Sequence, residues 1–328
     1  MKEIKDLGIA MSCYGDPTKL LDLSKMAEQA HFNRVWFIEV QDVDAFAMCA
    51  AAATVTKEIG IATGVTNSYL RLPTTIAMSA ATVSLISNHR FALGIGSGSP
   101  PMGYVHAIRK DRPLLRFEET LNIVNGLLKG VRLDFSGRLF RVKGFELGLK
   151  VDPRPPVYAA AMGPKAIALA SRLADGVIIM LPTLEHITRS MDTINSVLKT
   201  RGISRRDFRT IGYFLTVYSK DREEALKRAR MAIVEYSSYP AFRNNFIRLG
   251  FKREIDDIDR ALRISTEEAI KAVPVRMVDE LIIYGSSDDI IKRVSSFVQA
   301  GIDEPVLYPY MVSPNDYPSV IEGIIEIA

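Results

Sequence analysis

Hydrophobic and polar positions along the chain switch between two periods. Short runs rich in β-branched and aromatic residues read as strands: Asp6 to Met11, Arg34 to Glu39, Ile59 to Thr66, Phe91 to Gly96, Val157 to Ala160, Gly176 to Met180, Thr210 to Tyr218 and Pro305 to Tyr308. Between them, Pro17 to Ala30, Ala45 to Thr56, Pro73 to Ser84, Phe117 to Gly126, Pro164 to Ala174, Leu184 to Thr200 and Asp288 to Ala300 carry apolar residues at helical spacing. Several of these open on proline, which suits a first helical turn. The strand-then-helix unit repeats from end to end and predicts an α/β fold with a parallel sheet covered by helices. Eight strands close a (β/α)8 TIM barrel. Two stretches are too long for simple connections. Pro100 to Pro156, after the fourth strand, holds a helix and, over Leu133 to Leu147, a hairpin centred on Phe-Ser-Gly-Arg-Leu-Phe; Arg222 to Val273, after the seventh, is helical throughout. Both insertions are expected at the barrel mouth or on a dimer face. No low-complexity linker divides the chain, so residues 1–328 are expected to form a single domain.

Composition narrows the function classes. With 48% hydrophobic and 24% charged residues the chain is too polar for a membrane span, which needs about twenty consecutive apolar residues. Met1 to Ile9 mixes acids and bases without an apolar stretch, so no targeting segment is expected and the location is expected to be cytoplasmic. The net charge of +4 is small, and the densest basic run, Lys199 to Arg206, follows a helical pattern as a connection does. It reads as solvated surface rather than as a nucleic-acid footprint. Cys13 and Cys49 have neither the number nor the spacing of a disulfide framework or a zinc site, so both are expected to be reduced and structural, and no metal is expected.

In a closed parallel barrel the chemistry collects where strands end and loops begin. Gly94-Ile-Gly96-Ser-Gly98-Ser-Pro100-Pro101 ends the fourth strand, and its glycines allow either a close backbone approach to a ligand or a plain tight turn. The double proline argues against a Rossmann helix here. Ala159-Ala-Ala-Met162-Gly163-Pro164-Lys165-Ala166 runs from strand directly into helix, where free N–H groups and a lysine suit a phosphate, although ordinary strand-to-helix turns look alike. Gly64-Val65-Thr66-Asn67-Ser68-Tyr69 ends the third strand in polar residues, as a site or as a plain loop. Glu39 closes the apolar run Val35 to Ile38, as a site carboxylate or as a rim residue in a salt bridge.

Taken together, Thr63 to Pro73, Ser87 to Gly98, Val157 to Lys165 and Leu173-Ala-Asp-Gly-Val-Ile178 resemble the bacterial luciferase-like oxidoreductases that use coenzyme F420, most closely the methylenetetrahydromethanopterin reductase branch. The resemblance implies a luciferase-like barrel that binds coenzyme F420, or FMN in the monooxygenase members, and transfers hydride to or from a small molecule. It implies a non-prolyl cis peptide at Gly64-Val65 that backs one face of the tricyclic ring, with Thr66 and Asn67 beside the ring or its polyol. Ser97 and Gly98 would line the cofactor channel, while Met162, Gly163, Lys165 and Ala166 would surround the phosphate. Glu39 stands where relatives place an aspartate near the polar edge of the ring, which makes it the catalytic candidate. A homodimer is also implied.

Three positions depart from that pattern. Val40 stands where alcohol-oxidising relatives have a histidine, Ser99 where many have an acid, and Ala10 where the pterin reductases have an acid on the first strand. They leave three readings open: an F420-dependent reductase or dehydrogenase, an FMN-dependent monooxygenase, and a non-catalytic cofactor-binding protein. Of the four histidines, His31 and His89 precede strands and so face the wrong end of the barrel, His186 begins a helix after the sixth strand, and His106 follows the glycine loop with Tyr104.

Overall fold

Eight parallel strands close on themselves in the computed structural model, which describes residues 4, 6–12, 16–40, 43–98, 112–311, 321 and 323–325. The barrel strands are β1 (Gly8–Met11), β2 (Arg34–Phe37), β3 (Gly60–Thr63), extended by β4 (Thr66–Asn67), β5 (Phe91–Gly96), β8 (Val157–Ala160), β9 (Gly176–Met180), β10 (Arg209–Tyr218) and β12 (Glu304–Pro309). A hairpin, β6 (Leu133–Ser136) and β7 (Arg141–Phe145), and a short β11 (Ile283–Gly285) complete the strands among the described residues. Around the barrel stand α1 (Thr18–Gln29), α2 (Ala45–Val55), α3 (Pro73–Ile86), α4 (Pro113–Leu128), α5 (Pro164–Leu173), α6 (Leu184–Arg201) and, before β12, α12 (Ser287–Gln299). The second insertion supplies α7 (Arg222–Ser237), α8 (Pro240–Arg248), α9 (Lys252–Leu262), α10 (Thr266–Ala272) and α11 (Val275–Leu281).

Strand alternation divides the side chains between two cores. Ile9, Val35, Phe37, Ile61, Leu93, Val157, Val177 and Leu307 pack outward with the helices, while Ala10, Trp36, Ala62, Ala92, Tyr158, Ile178, Ile211, Tyr213 and Val306 fill the lumen. The register sets Ala10, Trp36, Ala62 and Ala92 at one level, so three alanines make room for one indole. Trp36 meets Tyr213 edge-on at 5.6 Å and lies 6.1 Å from Tyr158. Beneath it the fully buried Glu304 accepts from the Trp36 indole (3.0 Å) and from Arg34, with Arg209 at 3.5 Å. The filled lumen is a packed plug rather than a channel.

Three expectations change in detail. The predicted strand Ile59 to Thr66 is broken at Gly64-Val65, whose peptide bond is cis, and Thr66 and Asn67 shift over to pair with Ile95 and Gly96. The hairpin packs Leu133, Phe135, Phe140 and Val142 on Ala77, Ile123 and Leu127, so it rests on the helical wall rather than at the mouth. The buried Glu119 fastens its turn by accepting from the N–H groups of Arg138, Leu139 and Phe140 at 2.7 to 3.0 Å. The basic run at the end of α6 is not simply solvated: Arg201 donates to the carbonyls of Ser171 and Ala174, and Arg205 to Asp303 at 2.8 Å. The second insertion is helical as expected, and Met162, Met180 and Tyr308 at the strand ends pack against it. Cys49 is buried; Cys13 lies outside the described residues. No helix among the described residues is long and apolar enough to cross a membrane.

Candidate functional site

At the C-terminal end of the strands the plug finishes in Ile38, Val65, Ala160, Met180 and Tyr308, all half-buried over the lumen core. This apolar floor is seated by glycines. A Cβ on Gly64 would lie 2.3 Å from the Tyr213 hydroxyl, and one on Gly96 would lie 2.8 Å from the Val65 side chain. Gly98 has a φ of +88°, and a Cβ there would lie 2.7 Å from Asn67 Oδ1. Any side chain at these positions would displace the bulge or the amide beside it. The Tyr213 hydroxyl is buried directly under the bulge without a hydrogen-bond partner among the described residues, and burial pushes its phenol well above the usual range, so it stays protonated. Ser12 and Tyr308, at the ends of β1 and β12, pair their hydroxyls at 3.1 Å.

One wall is polar. Asn67 Oδ1 accepts from the Tyr69 N–H at 2.8 Å, and the Ser68 N–H donates to the Gly96 carbonyl at 3.0 Å, which ties the bulge to the loop carrying Ser97 and Gly98. The Thr66 hydroxyl donates to Glu39 Oε2 at 2.8 Å, while Glu39 Oε1 accepts from Arg71 at 2.8 Å and from the Ala45 N–H at 3.4 Å. Arg71 also donates to Asp44 and lies over the Phe46 ring at 5.2 Å. Burial pushes Asp44 up, but Arg71 and the N–H groups of Phe46 and Ala47 outweigh it and hold the carboxyl below the usual range. Of the two readings offered for Glu39, the geometry gives the salt bridge. Both oxygens already accept donors, so the group is placed to orient Thr66 and Arg71. Ala10 is wholly buried in the lumen, at the level of Trp36.

Across the floor, β8 runs through Met162 and Gly163 into α5. Gly163 is the N-cap, has no capping side chain, and is followed by Pro164 in the first turn. The first N–H groups of the helix are therefore available to an anion. Lys165 is exposed, with no carboxylate in ion-pair range among the described residues, and Ala166 follows it. The arrangement fits a ligand with a flat apolar part at one end and a phosphate at the other. The glycine-seated bulge and the uncapped helix end stand on neighbouring parts of the ring, β3 to β5 to β8.

Two groups here were not among the predicted site residues. Arg248, at the end of α8, donates to the Met162 carbonyl at 3.1 Å and to Asn245, and its guanidinium is 2.9 Å from where a Gly163 Cβ would stand. Nothing in the helical insertion marks it locally. His186 did carry a signal, being close behind a strand end. Its ring is driven down to about 4 by burial, then by Arg248 and Arg189, against the pull of the Met162 carbonyl, so it is neutral. Ser99, Tyr104 and His106 lie outside the described residues. Among the described residues no cluster of three or more His, Cys, Asp or Glu side chains could hold a metal ion.

The sequence model of the luciferase-like monooxygenase family matches residues 6–304. A 5,10-methylenetetrahydromethanopterin reductase of Archaeoglobus fulgidus is 30% identical over 294 residues, covering 86% of each chain. Among solved structures, the coenzyme F420 dependent tetrahydromethanopterin reductase from Methanopyrus kandleri superposes with a TM-score of 0.86 at 21% identity, covering 98% of both chains. An F420-dependent secondary alcohol dehydrogenase in complex with an F420-acetone adduct gives a TM-score of 0.79 at 20% identity, covering 99% of this chain and 98% of that one.

Proposed function

Since the chain belongs to the luciferase-like monooxygenase family, we propose that it is an oxidoreductase that binds coenzyme F420 over the Ile38, Val65 and Ala160 floor and moves hydride between the deazaflavin and a small molecule. The observation that carries the reading is the glycine-seated bulge at Gly64-Val65 together with the uncapped N-terminus of α5, one strand apart on the ring. The first offers an apolar platform to one face of a planar ring, and the second offers N–H groups and Lys165 to a phosphate. When bound, the deazaflavin supplies a carbon centre that carries hydride.

The protein's own work is alignment. Val65 and Ile38 block the lower face of the ring site, so a second reactant has access only from above, from the side the helical insertion covers. Glu39 holds Thr66, and Asn67 holds the strand end. With Glu39 committed to Arg71 and Ala10 apolar, the paired hydroxyls of Ser12 and Tyr308 are the protic groups that the ends of β1 and β12 present beside the floor among the described residues. This favours a reaction in which little more than hydride is exchanged. We further propose a cytoplasmic homodimer. Helices α2 and α3 pack side by side and are apolar nearly all round, with Ala47, Met78, Leu85 and Ile86 left exposed on their outer faces.

The deciding experiment is equilibrium dialysis of the purified chain against oxidised coenzyme F420 and, separately, FMN. The expected result is F420 binding at least about tenfold tighter than FMN, which is about 1.4 kcal/mol. A preference for FMN would move the reading to a monooxygenase, and binding of neither would overturn the cofactor assignment.

A further inference from the structure

A cleft runs past the outer side of the α5 N-terminus, between Pro164 and Ile167 on α5, His186, Arg189 and Thr193 along one face of α6, and Arg248 at the end of α8. None of the residues flooring the lumen borders it, so it lies outside the space where a reactant would meet the ring. It begins at Pro164, where the phosphate turn ends. The cleft therefore adjoins the helix N-terminus offered to a phosphate.

The cleft has more positive charge than its own carboxylate can balance. Arg189 pairs with Glu185 four residues before it, on the rim. Arg248 has no carboxylate in range among the described residues: its acceptors are the neutral Met162 carbonyl and the Asn245 amide oxygen. Asn245 is wholly buried, and its amide nitrogen has no partner among the described residues. With its oxygen committed to Arg248, it helps hold the guanidinium, which lines the cleft. Burial lowers Arg248, and His186 beside it stays neutral, so the charge awaiting a counter-ion is that of the guanidinium. A planar fork of donors held this way suits carboxylates on a flexible chain.

We infer that this cleft binds the acidic glutamate tail that follows the phosphate of coenzyme F420, with Arg248 as the residue that reads it. The inference rests on the cofactor reading above and adds to it a site for the end of the coenzyme farthest from the chemistry. No reacting atom is involved, so Arg248 sets affinity and selectivity between coenzyme forms, and the ring and phosphate contacts remain those of the mouth.

The test compares the wild type with Arg248→Gln and Arg248→Lys by dialysis against two probes: coenzyme F420 with its glutamates, and the same molecule ending at the phospholactyl group. The wild type is expected to prefer the glutamylated form. Arg248→Gln should weaken that form about five- to tenfold, as expected for an exposed charge-assisted contact, and leave the tail-less form within about twofold. Arg248→Lys should fall between, and the loss should shrink as salt rises. Equal weakening of both forms would mean that Arg248 acts only by steadying the Met162-Gly163 turn, and the tail assignment falls. It also falls if neither form is weakened, or if the wild type binds both forms alike. Failure of the wild type to bind either form would overturn the cofactor reading, and this inference with it.

Discussion

Removing the carboxylate of Glu304 tests the account of the barrel floor. Its side chain is fully buried, Arg34 is only 15% exposed, and the two pair directly while the second oxygen takes the Trp36 indole N–H at 3.0 Å. Replacing Glu304 by Leu leaves a guanidinium and an indole donor without acceptors in a closed lumen. Breaking a buried pair from one side costs about 3 to 5 kcal/mol. Unfolding entropy of about 2.1 cal/mol/K per residue gives about 0.7 kcal/mol/K for a chain of this length, so Tm should fall by about 4 to 7 °C. The assay is scanning calorimetry on the wild type, Glu304→Leu, Arg34→Met and the double variant. The double variant should lose markedly less than its two singles combined, because it leaves neither charge orphaned beside the other. Arg209 retains Asp6 at 3.0 Å in every variant, so it does not blur the comparison. A shift under about 1 °C for Glu304→Leu, or strict additivity in the double variant, would refute the claim that this pair holds the floor together.

Three further outcomes follow from the same geometry. His186 titrates near 4 in the fold against about 6.5 unfolded. The unfolded chain therefore takes up the proton first, and stability present above about pH 6.5 is lost as pH falls toward 4. Denaturant titrations should show that loss, at most on the order of 3 kcal/mol, and His186→Gln should flatten it; an unchanged slope counts against the buried neutral ring. Gly98→Ala, with φ at +88° and its new Cβ against Asn67, should cost about 1 to 2 kcal/mol and weaken F420 binding, and a variant of wild-type affinity would remove Gly98 from the channel. Glu119→Ala strands three hairpin N–H groups, so hydrogen exchange at Arg138, Leu139 and Phe140 should accelerate while the barrel strands stay protected; unchanged protection there would mean the turn holds without the carboxylate.

The barrel was legible because its signal is local: eight alternating runs separated by helical ones. What escaped was whatever depends on partners far away in the chain. The last strand reads as starting at Pro305, since a charged residue before a proline looks like a loop, yet Glu304 opens β12 because Arg34, 270 residues away, neutralises it. The break at Gly64-Val65 is invisible to periodicity, as the apolar pattern continues through Thr66; only the likeness to relatives placed it. Glu39 shows the opposite limit. Its position at a strand end was readable, but its commitment to Arg71 depends on a loop whose path no local pattern gives. Arg248 had no signal at all, lying in an insertion whose helices advertise their own packing and nothing of the turn they reach.

Trp36 is the only tryptophan in the chain, and it is wholly shielded from water. The protein therefore carries a single indole emitter, locked by Glu304 below and set against Tyr213, whose hydroxyl underlies the bulge. Its light reports one environment, without the averaging that several indoles impose. A chromophore stacked on Val65 and Ile38 would sit close enough to drain that excitation by resonance transfer, whereas a solute held only in the outer cleft would leave it brighter. A red shift in the emission would signal water entering the lumen before the helices outside have melted. Occupancy of the mouth and integrity of the plug can thus be followed from one unlabelled side chain.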